Sequence, residues 1–231
     1  MRIVVTGANR GIGLELTRQL LERGDEVVAS ARDPKHAESL KALSQRFGDR
    51  LWHVALDVAS DDSAAALPEA LPPGPVDALI NNAGVIGKMT SLEDLDFDDA
   101  LRTYQTNALG ALRVTRALLD RLRQGTGKRI LNLSTGMGSI ADNGSGGAWA
   151  YRMSKAALNM ATKNLSHALR SDGIAVVGVN PGWVKTDMGG EKAELEPSRS
   201  VADMLGVIDA LKFDADALGC FLGHEGQEIP W

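Results

Sequence analysis

The sequence predicts an α/β fold, a doubly wound parallel sheet of about seven strands flanked by helices on both faces. Short apolar, β-branched runs alternate with amphipathic helical patterns along the whole chain. The first run leads directly into a glycine turn, Thr6-Gly7-Ala8-Asn9-Arg10-Gly11-Ile12-Gly13, and then into a helix, the arrangement of a Rossmann-type βαβ unit. No repeat, low-complexity tract or linker breaks the alternation, so residues 1–231 read as one domain.

The elements follow in order. Residues 2–6 are apolar and β-branched and form the first strand. A helix with Ile12, Leu16 and Leu20 on one face stops near Gly24, and a strand runs from Glu26 to Ser30. A helix near 34–46, a strand at 51–55 and a short helix near 60–70 come next. A strand at 76–81 ends in Asn81-Asn82-Ala83-Gly84, and a long helix spans roughly 97–123. After a strand at 129–134 comes a helix opened by Tyr151, carrying Ala156, Leu158, Ala161 and Leu165. A strand at 174–179, a helix near 198–211 and a last strand near 218–222 complete the pattern. Parallel strands need crossovers of this kind, and ligands in such sheets bind beyond the carboxyl ends of the strands.

Bulk properties exclude several functions. Of 231 residues, 44% are hydrophobic, which suits a globular core. A net charge of -5 and a pI near 5.4 argue against a general nucleic-acid binder. The one cysteine, Cys220, excludes a disulfide framework and suits a reducing, cytoplasmic setting. Met1-Arg2-Ile3-Val4-Val5 enters a strand at once, so no signal peptide is expected, and no apolar run approaches the roughly 20 residues of a membrane span. His36, His53, His167 and His224 are scattered without metal-ligand spacing, so no metal is expected.

Two features carry chemistry. Gly7, Gly11 and Gly13 let the backbone turn sharply and approach a pyrophosphate, while the following helix offers free N–H groups. An acid at the end of the second strand would bind a ribose 2′-hydroxyl, and an arginine there would suit a 2′-phosphate. Arg32, with Arg10 projecting from the glycine turn, favours NADP(H); Asp33 leaves NAD(H) open. The second feature is Tyr151 and Lys155, four residues apart and so on one helical face. An ammonium beside a phenol should lower its pKa from about 10 and suit it to proton transfer at a carbonyl oxygen.

Together, Thr6-Gly7-x-x-x-Gly11-x-Gly13, Asn81-Asn82-Ala83-Gly84, Tyr151-x-x-x-Lys155 and Asn180-Pro181-Gly182 resemble the short-chain dehydrogenase/reductase family over essentially the full length. The stretches 133–140, 181–190 and 226–231 are similar to its sniffer/C-factor branch. The resemblance implies that Tyr151 is the proton donor or acceptor and that Lys155 lowers its pKa and binds the nicotinamide ribose. It implies that Asn107 holds a water in a proton relay and that Asp57 and Val58 contact adenine. Gly7, Asn9, Arg10, Gly11, Ile12 and Gly13 would cradle the phosphates. Asn81, Ala83 and Gly84 would line the cofactor, and Pro181, Gly182, Val184 and Thr186 would meet its nicotinamide end. It also implies a homodimer or homotetramer built on the long helix and the Tyr151 helix.

One departure matters. The family's substrate-orienting serine ends a Ser-Ser pair, and here the pair is Ser134-Thr135. A threonine hydroxyl gives the same hydrogen bond with less rotamer freedom. Thr135 is favoured for the role, with Ser134 and Ser139 as alternatives. Asp94, Asp96, Asp98 and Asp99 read as an acidic cluster at a helix N-terminus, Cys220 as a core residue, and Trp149 and Trp183 as pocket wall or core. Residues 189–199 are expected to form a short lid. The reading is an NADPH-dependent reductase of a small-molecule aldehyde, ketone or quinone. The alternatives are a dinucleotide-bound signalling or scaffold protein with little catalysis and an NAD-dependent alcohol dehydrogenase.

Overall fold

The computed structural model of the chain describes residues 1–214 and 219–231. Strands β1 (Arg2–Val5), β2 (Glu26–Ala31), β3 (Leu51–Ala55), β4 (Ala78–Asn81), β5 (Arg129–Leu133), β6 (Ala175–Asn180) and β7 (Cys220–Gly223) form one parallel sheet. Their order is β3-β2-β1-β4-β5-β6-β7. Residue 218, where the last strand was expected to begin, lies outside the described residues. The helices are α1 (Gly11–Glu22), α2 (Glu38–Phe47), α3 (Asp61–Ala70), α4 (Phe97–Tyr104), α5 (Gly110–Gln124), α6 (Trp149–Ala168) and α7 (Pro197–Ala210).

The alternation of side chains along each strand divides the core in two. On one face Ile3, Val5, Val27 and Val177 meet Leu16 and Leu20 of α1, Leu40 of α2 and Met204 of α7. On the other, Val4, Val28, Leu79 and Ile130 meet Leu67 of α3 and Val114 and Leu118 of α5. The chain winds outward from β1 toward β3 and, through β4, outward toward β7, so a crevice opens between the ends of β1 and β4.

Three elements depart from the sequence expectation. The long helix at 97–123 is interrupted by a π-turn at Gln105–Leu109, which seats Asn107 in the interior. Apolar spacing does not reveal a single wide turn of this kind, whose extra residue shifts the helix face locally. The helix near 34–46 is a 3₁₀ turn at Pro34–His36 followed by α2, because Ala37 sits outside helical dihedrals at φ -87°, ψ 80°. The strand expected from 76 starts at Ala78. Val76 donates instead to the Arg121 carbonyl (3.1 Å), and the Asp77 carboxylate gathers the N–H groups of Arg2, Thr126 and Gly127.

The expected lid divides. Residues 197–199 open α7, where Pro197 occupies the first turn. Ahead of them Leu195 pairs with Val184 and exchanges hydrogen bonds with Trp183 and Lys185, which folds 189–196 back on the loop after β6. The acidic run caps α4: Asp96 accepts the Asp99 N–H (3.0 Å) and binds Lys88. Among the described residues no helix is long and apolar enough to cross a membrane.

Candidate active site

A cleft of about 1040 Å³ opens at the carboxyl ends of the central strands. One wall is the glycine turn, lined by Gly7, Asn9, Arg10, Gly11, Ile12 and Gly13. Gly7 (φ +63°) and Gly11 (φ +54°) adopt left-handed backbone that side chains disfavour. A Cβ on Gly13 would lie 2.3 Å from the Gly7 carbonyl oxygen, so only glycine lets the turn close this tightly. Helix α1 then starts with no side-chain cap and no acid in its first turn. Its unpaired N–H groups and positive dipole end therefore face the cleft, and they fit a phosphate-bearing ligand.

Asn82 holds this turn in place. Its side chain donates to the carbonyls of Thr6 (2.8 Å) and Gly7 (3.1 Å), while Thr6 Oγ1 accepts the N–H groups of Asn82 and Ala83. The sequence reading chose Asn81 for the cofactor wall, and the structure places it elsewhere. Asn81 donates to Asn132 (2.8 Å) on neighbouring β5 and to Thr115 (3.3 Å) on α5, and Asn82 lines the cleft. The period of two along β4 was the signal that would have separated the pair.

Most other expected cofactor residues line the same cleft: Asp57, Val58, Ala83, Gly84, Pro181 and Thr186. Gly182 and Val184 do not. Gly182 turns at φ +81° against His224, and Val184 is buried in its pairing with Leu195. Arg10 and Arg32 stand at the mouth, where Arg10 reaches Asp187 (3.2 Å). The nearby Asp33 carboxylate is bonded to His36 (2.6 Å), and that bond keeps its pKa below the usual range. Ile86, Asp187 and Met188 also line the cleft and were not foreseen, whereas Trp149 and Trp183 do not line it.

Tyr151 and Lys155 lie one turn apart on α6, with Lys155 Nζ 6.0 Å from the Tyr151 ring centre. The Thr135 side chain lies near enough to the phenol to act on its pKa. Ser134 lines the cleft, where its hydroxyl donates to Asn159 (2.6 Å), whereas Thr135 and Ser139 are not among the lining residues, and Ser139 donates to the Trp231 main-chain oxygen (3.3 Å). Of the three, Thr135 is the one that acts on the Tyr151 phenol.

The electrostatics correct one expectation. Burial pushes the Tyr151 phenol up to about 12, with Thr135 opposing the rise, where lowering by Lys155 was anticipated. The ammonium does not reach the hydroxyl; it donates to the Leu133 carbonyl (2.7 Å), and burial lowers Lys155 to about 8. Desolvation disfavours the charged form of each group. Asn107 is buried, and its carboxamide accepts the Val85 N–H (2.8 Å) and donates to the Val85 carbonyl (2.8 Å) and Ser154 Oγ (2.9 Å). Those bonds tie the π-turn to α6 and to the chain after β4.

Away from the cleft, Asp203, His224 and Glu225 bring ligand atoms within 4.8 Å of one another. Arg199 donates onto the same Asp203 carboxylate (2.8 Å), as His224 approaches it at 3.2 Å. Cys220 is half-buried on β7, and burial raises its thiol pKa.

Comparison with known proteins places these features in a family. The family model described as short chain dehydrogenase matches residues 1–197. The C-signal protein of Myxococcus xanthus is 52% identical over 158 residues, which is 68% of this chain and 94% of that protein. The structure of carbonyl reductase Sniffer of D. melanogaster superposes with a TM-score of 0.93 at 31% identity, covering 100% of this chain and 99% of that one. The NADPH-bound carbonyl reductase from chicken fatty liver gives a TM-score of 0.91 at 36% identity, covering 100% and 98%.

The buried ammonium makes a stability prediction. Folding penalises the charged form of Lys155 in full below pH about 8, less between there and its ordinary value of 10.5, and not above. Lys155→Met removes that penalty, so the variant should melt above wild type at pH 7, with the gap closing by pH 10. Thermal melts at both pH values test this, and a wild type that outlasts the variant at pH 7 would contradict it.

Proposed function

The chain belongs to the short chain dehydrogenase family, and we propose that it is a carbonyl reductase that uses NADPH to convert a small aldehyde, ketone or quinone to the alcohol. The observation that carries this reading is the phenol of Tyr151, one helical turn from Lys155, in a cleft whose other wall is a bare helix N-terminus. When bound, the reduced nicotinamide supplies hydride to the carbonyl carbon. Tyr151 donates its Oη proton to the oxygen as negative charge develops there, and Thr135 orients that oxygen with a second hydrogen bond. A phenol held near pKa 12 is fully protonated at neutral pH and ready to act as the acid. Lys155, one turn away, stabilises the tyrosinate, and a pKa near 8 lets Nζ release and regain a proton.

Arg32 supports a 2′-phosphate at the end of β2, since Asp33, the acid that would bind a 2′-hydroxyl, is engaged by His36. The likeness to C-signal favours a second reading, a dinucleotide-bound protein acting through a partner, for which cofactor binding without turnover would be the sign. The chain also self-associates on this reading. Phe97 (78% exposed) and Leu101 (57%) on α4 and Met153 (62%) and Met160 (63%) on α6 are apolar side chains exposed on two helices packed together, which a second copy would cover.

Tyr151→Phe should lower turnover by about 10²–10⁴ while leaving NADPH affinity within about twofold, measured by NADPH absorbance with a carbonyl panel and by fluorescence titration. Near-normal turnover in this variant would sink the mechanism. Arg32→Ala should raise the NADPH dissociation constant by about tenfold with little change for NADH. Equal effects on both cofactors would remove the 2′-phosphate assignment. Light scattering should give a multiple of the 24.5 kDa chain mass for wild type, and Phe97→Glu/Leu101→Glu should give a monomer; a monomeric wild type would refute the self-association.

A further inference from the structure

We propose that Trp231, outside the cleft, is a positioning residue for the active site, holding the loop that carries Thr135. The inference deepens the carbonyl reductase reading and rests on it for its kinetic consequence. Thr135 begins a single 3₁₀ turn, Gly136–Gly138. Its hydroxyl accepts the Met137 N–H (3.3 Å), its carbonyl accepts the Gly138 N–H (2.8 Å), and the Ser139 N–H reaches the Gly136 carbonyl (3.0 Å). The turn also packs on α6, the helix that carries Tyr151, so its orientation sets where the Thr135 hydroxyl stands relative to the phenol.

The turn is held from two sides. On the inner side it lies on α6: a Cβ on Gly138 would come within 2.9 Å of Lys155 Cβ, and Asn159 donates to the Gly138 carbonyl (3.1 Å). On the outer side the main-chain oxygen of Trp231 accepts the N–H groups of Ile140 (3.0 Å) and Ala141 (3.0 Å) and the hydroxyl of Ser139 (3.3 Å). Three donors on one oxygen need that oxygen to be firmly placed. Trp231 is placed by its ring, stacked on buried Phe221 of β7 at 5.6 Å and 24°. The segment leading to it folds back on β7 through Gly223 N–H to the Gln227 carbonyl and Ile229 N–H to the Phe221 carbonyl, each 2.8 Å. The sheet edge is thereby connected to Thr135 through Phe221, Trp231 and Ser139–Ala141. Trp231 does not line the cleft, so its effect on chemistry runs through the loop.

Deletion of Trp231 removes both oxygen and ring, Trp231→Ala removes the ring, and Trp231→Phe keeps a stacking partner. Hydrogen exchange over 136–141, kcat and KM for 4-nitrobenzaldehyde, and the NADPH dissociation constant are compared in the full-length protein. The expected result is faster exchange at Ile140 and Ala141 on deletion, with β4 and β5 unchanged. It includes kcat reduced about tenfold in the deletion and Trp231→Ala, NADPH affinity within about twofold, and at least half of kcat restored in Trp231→Phe. Unchanged exchange in the deletion overturns the clamp. Faster exchange with unchanged kcat, or kcat and NADPH affinity falling together, overturns the positioning role. A wild type that turns over no carbonyl would defeat the reductase reading, and the exchange measurement would still decide whether Trp231 holds the loop.

Discussion

The hydrogen bond from Lys155 Nζ to the Leu133 carbonyl is the contact on which the site's architecture depends. It joins the middle of α6 to the end of β5 and places a charge in the interior. Burial lowers the Lys155 pKa to about 8, and the bond gives the ammonium an acceptor in the interior. Gly138 packs against the same side chain, so strand end, following turn and helix meet at one lysine. Tyr151, one turn before it on α6, inherits its position from that junction. The cation is set into a place that stability alone would give to an apolar side chain, a pattern common where function requires a destabilising group.

The opposite wall follows another constraint, close backbone approach. The Gly7 carbonyl, the Gly13 Cα and the Asn82 side chain occupy a volume that a single added methyl group would overfill. That crowding joins the end of β1, the start of α1 and the exit of β4, the three segments that border the topological switch of the sheet. The glycine turn thus leaves a strand end directly, while Tyr151 and Lys155 stand on α6 and Thr135 on the turn after β5. Asn107, reached through the π-turn, connects the β4 exit to α6 through Val85 and Ser154 and so bridges the two walls from below.

Two features are useful in considering how such a site tolerates a threonine in its Ser134-Thr135 pair. The Thr135 hydroxyl accepts the Met137 N–H, and its β-branch restricts it to few rotamers. A stiffer side chain requires a more exact backbone. The ties to α6 on one side and to Trp231 on the other provide that backbone placement.

Much of the arrangement was legible in one dimension. Alternating patterns announced the parallel sheet, the glycine spacing announced the turn, and the four-residue interval put Tyr151 beside Lys155, because periodicity, dihedral freedom and helical pitch are local properties of the chain. The interval could not tell that the lysine would point at Leu133 and that burial would raise the phenol's pKa, since desolvation is set by everything packed around a group. Nor could the pairs Asn81-Asn82 and Ser134-Thr135 be resolved by composition: which member faces the cleft depends on strand register and on partners such as Asn132 and Asn159. The π-turn at Gln105–Leu109 and the meeting of Trp231 with Ser139 join segments far apart along the chain. Local chemistry thus settled the list of parts, while long-range packing decided which side chain faces which and in what state of charge.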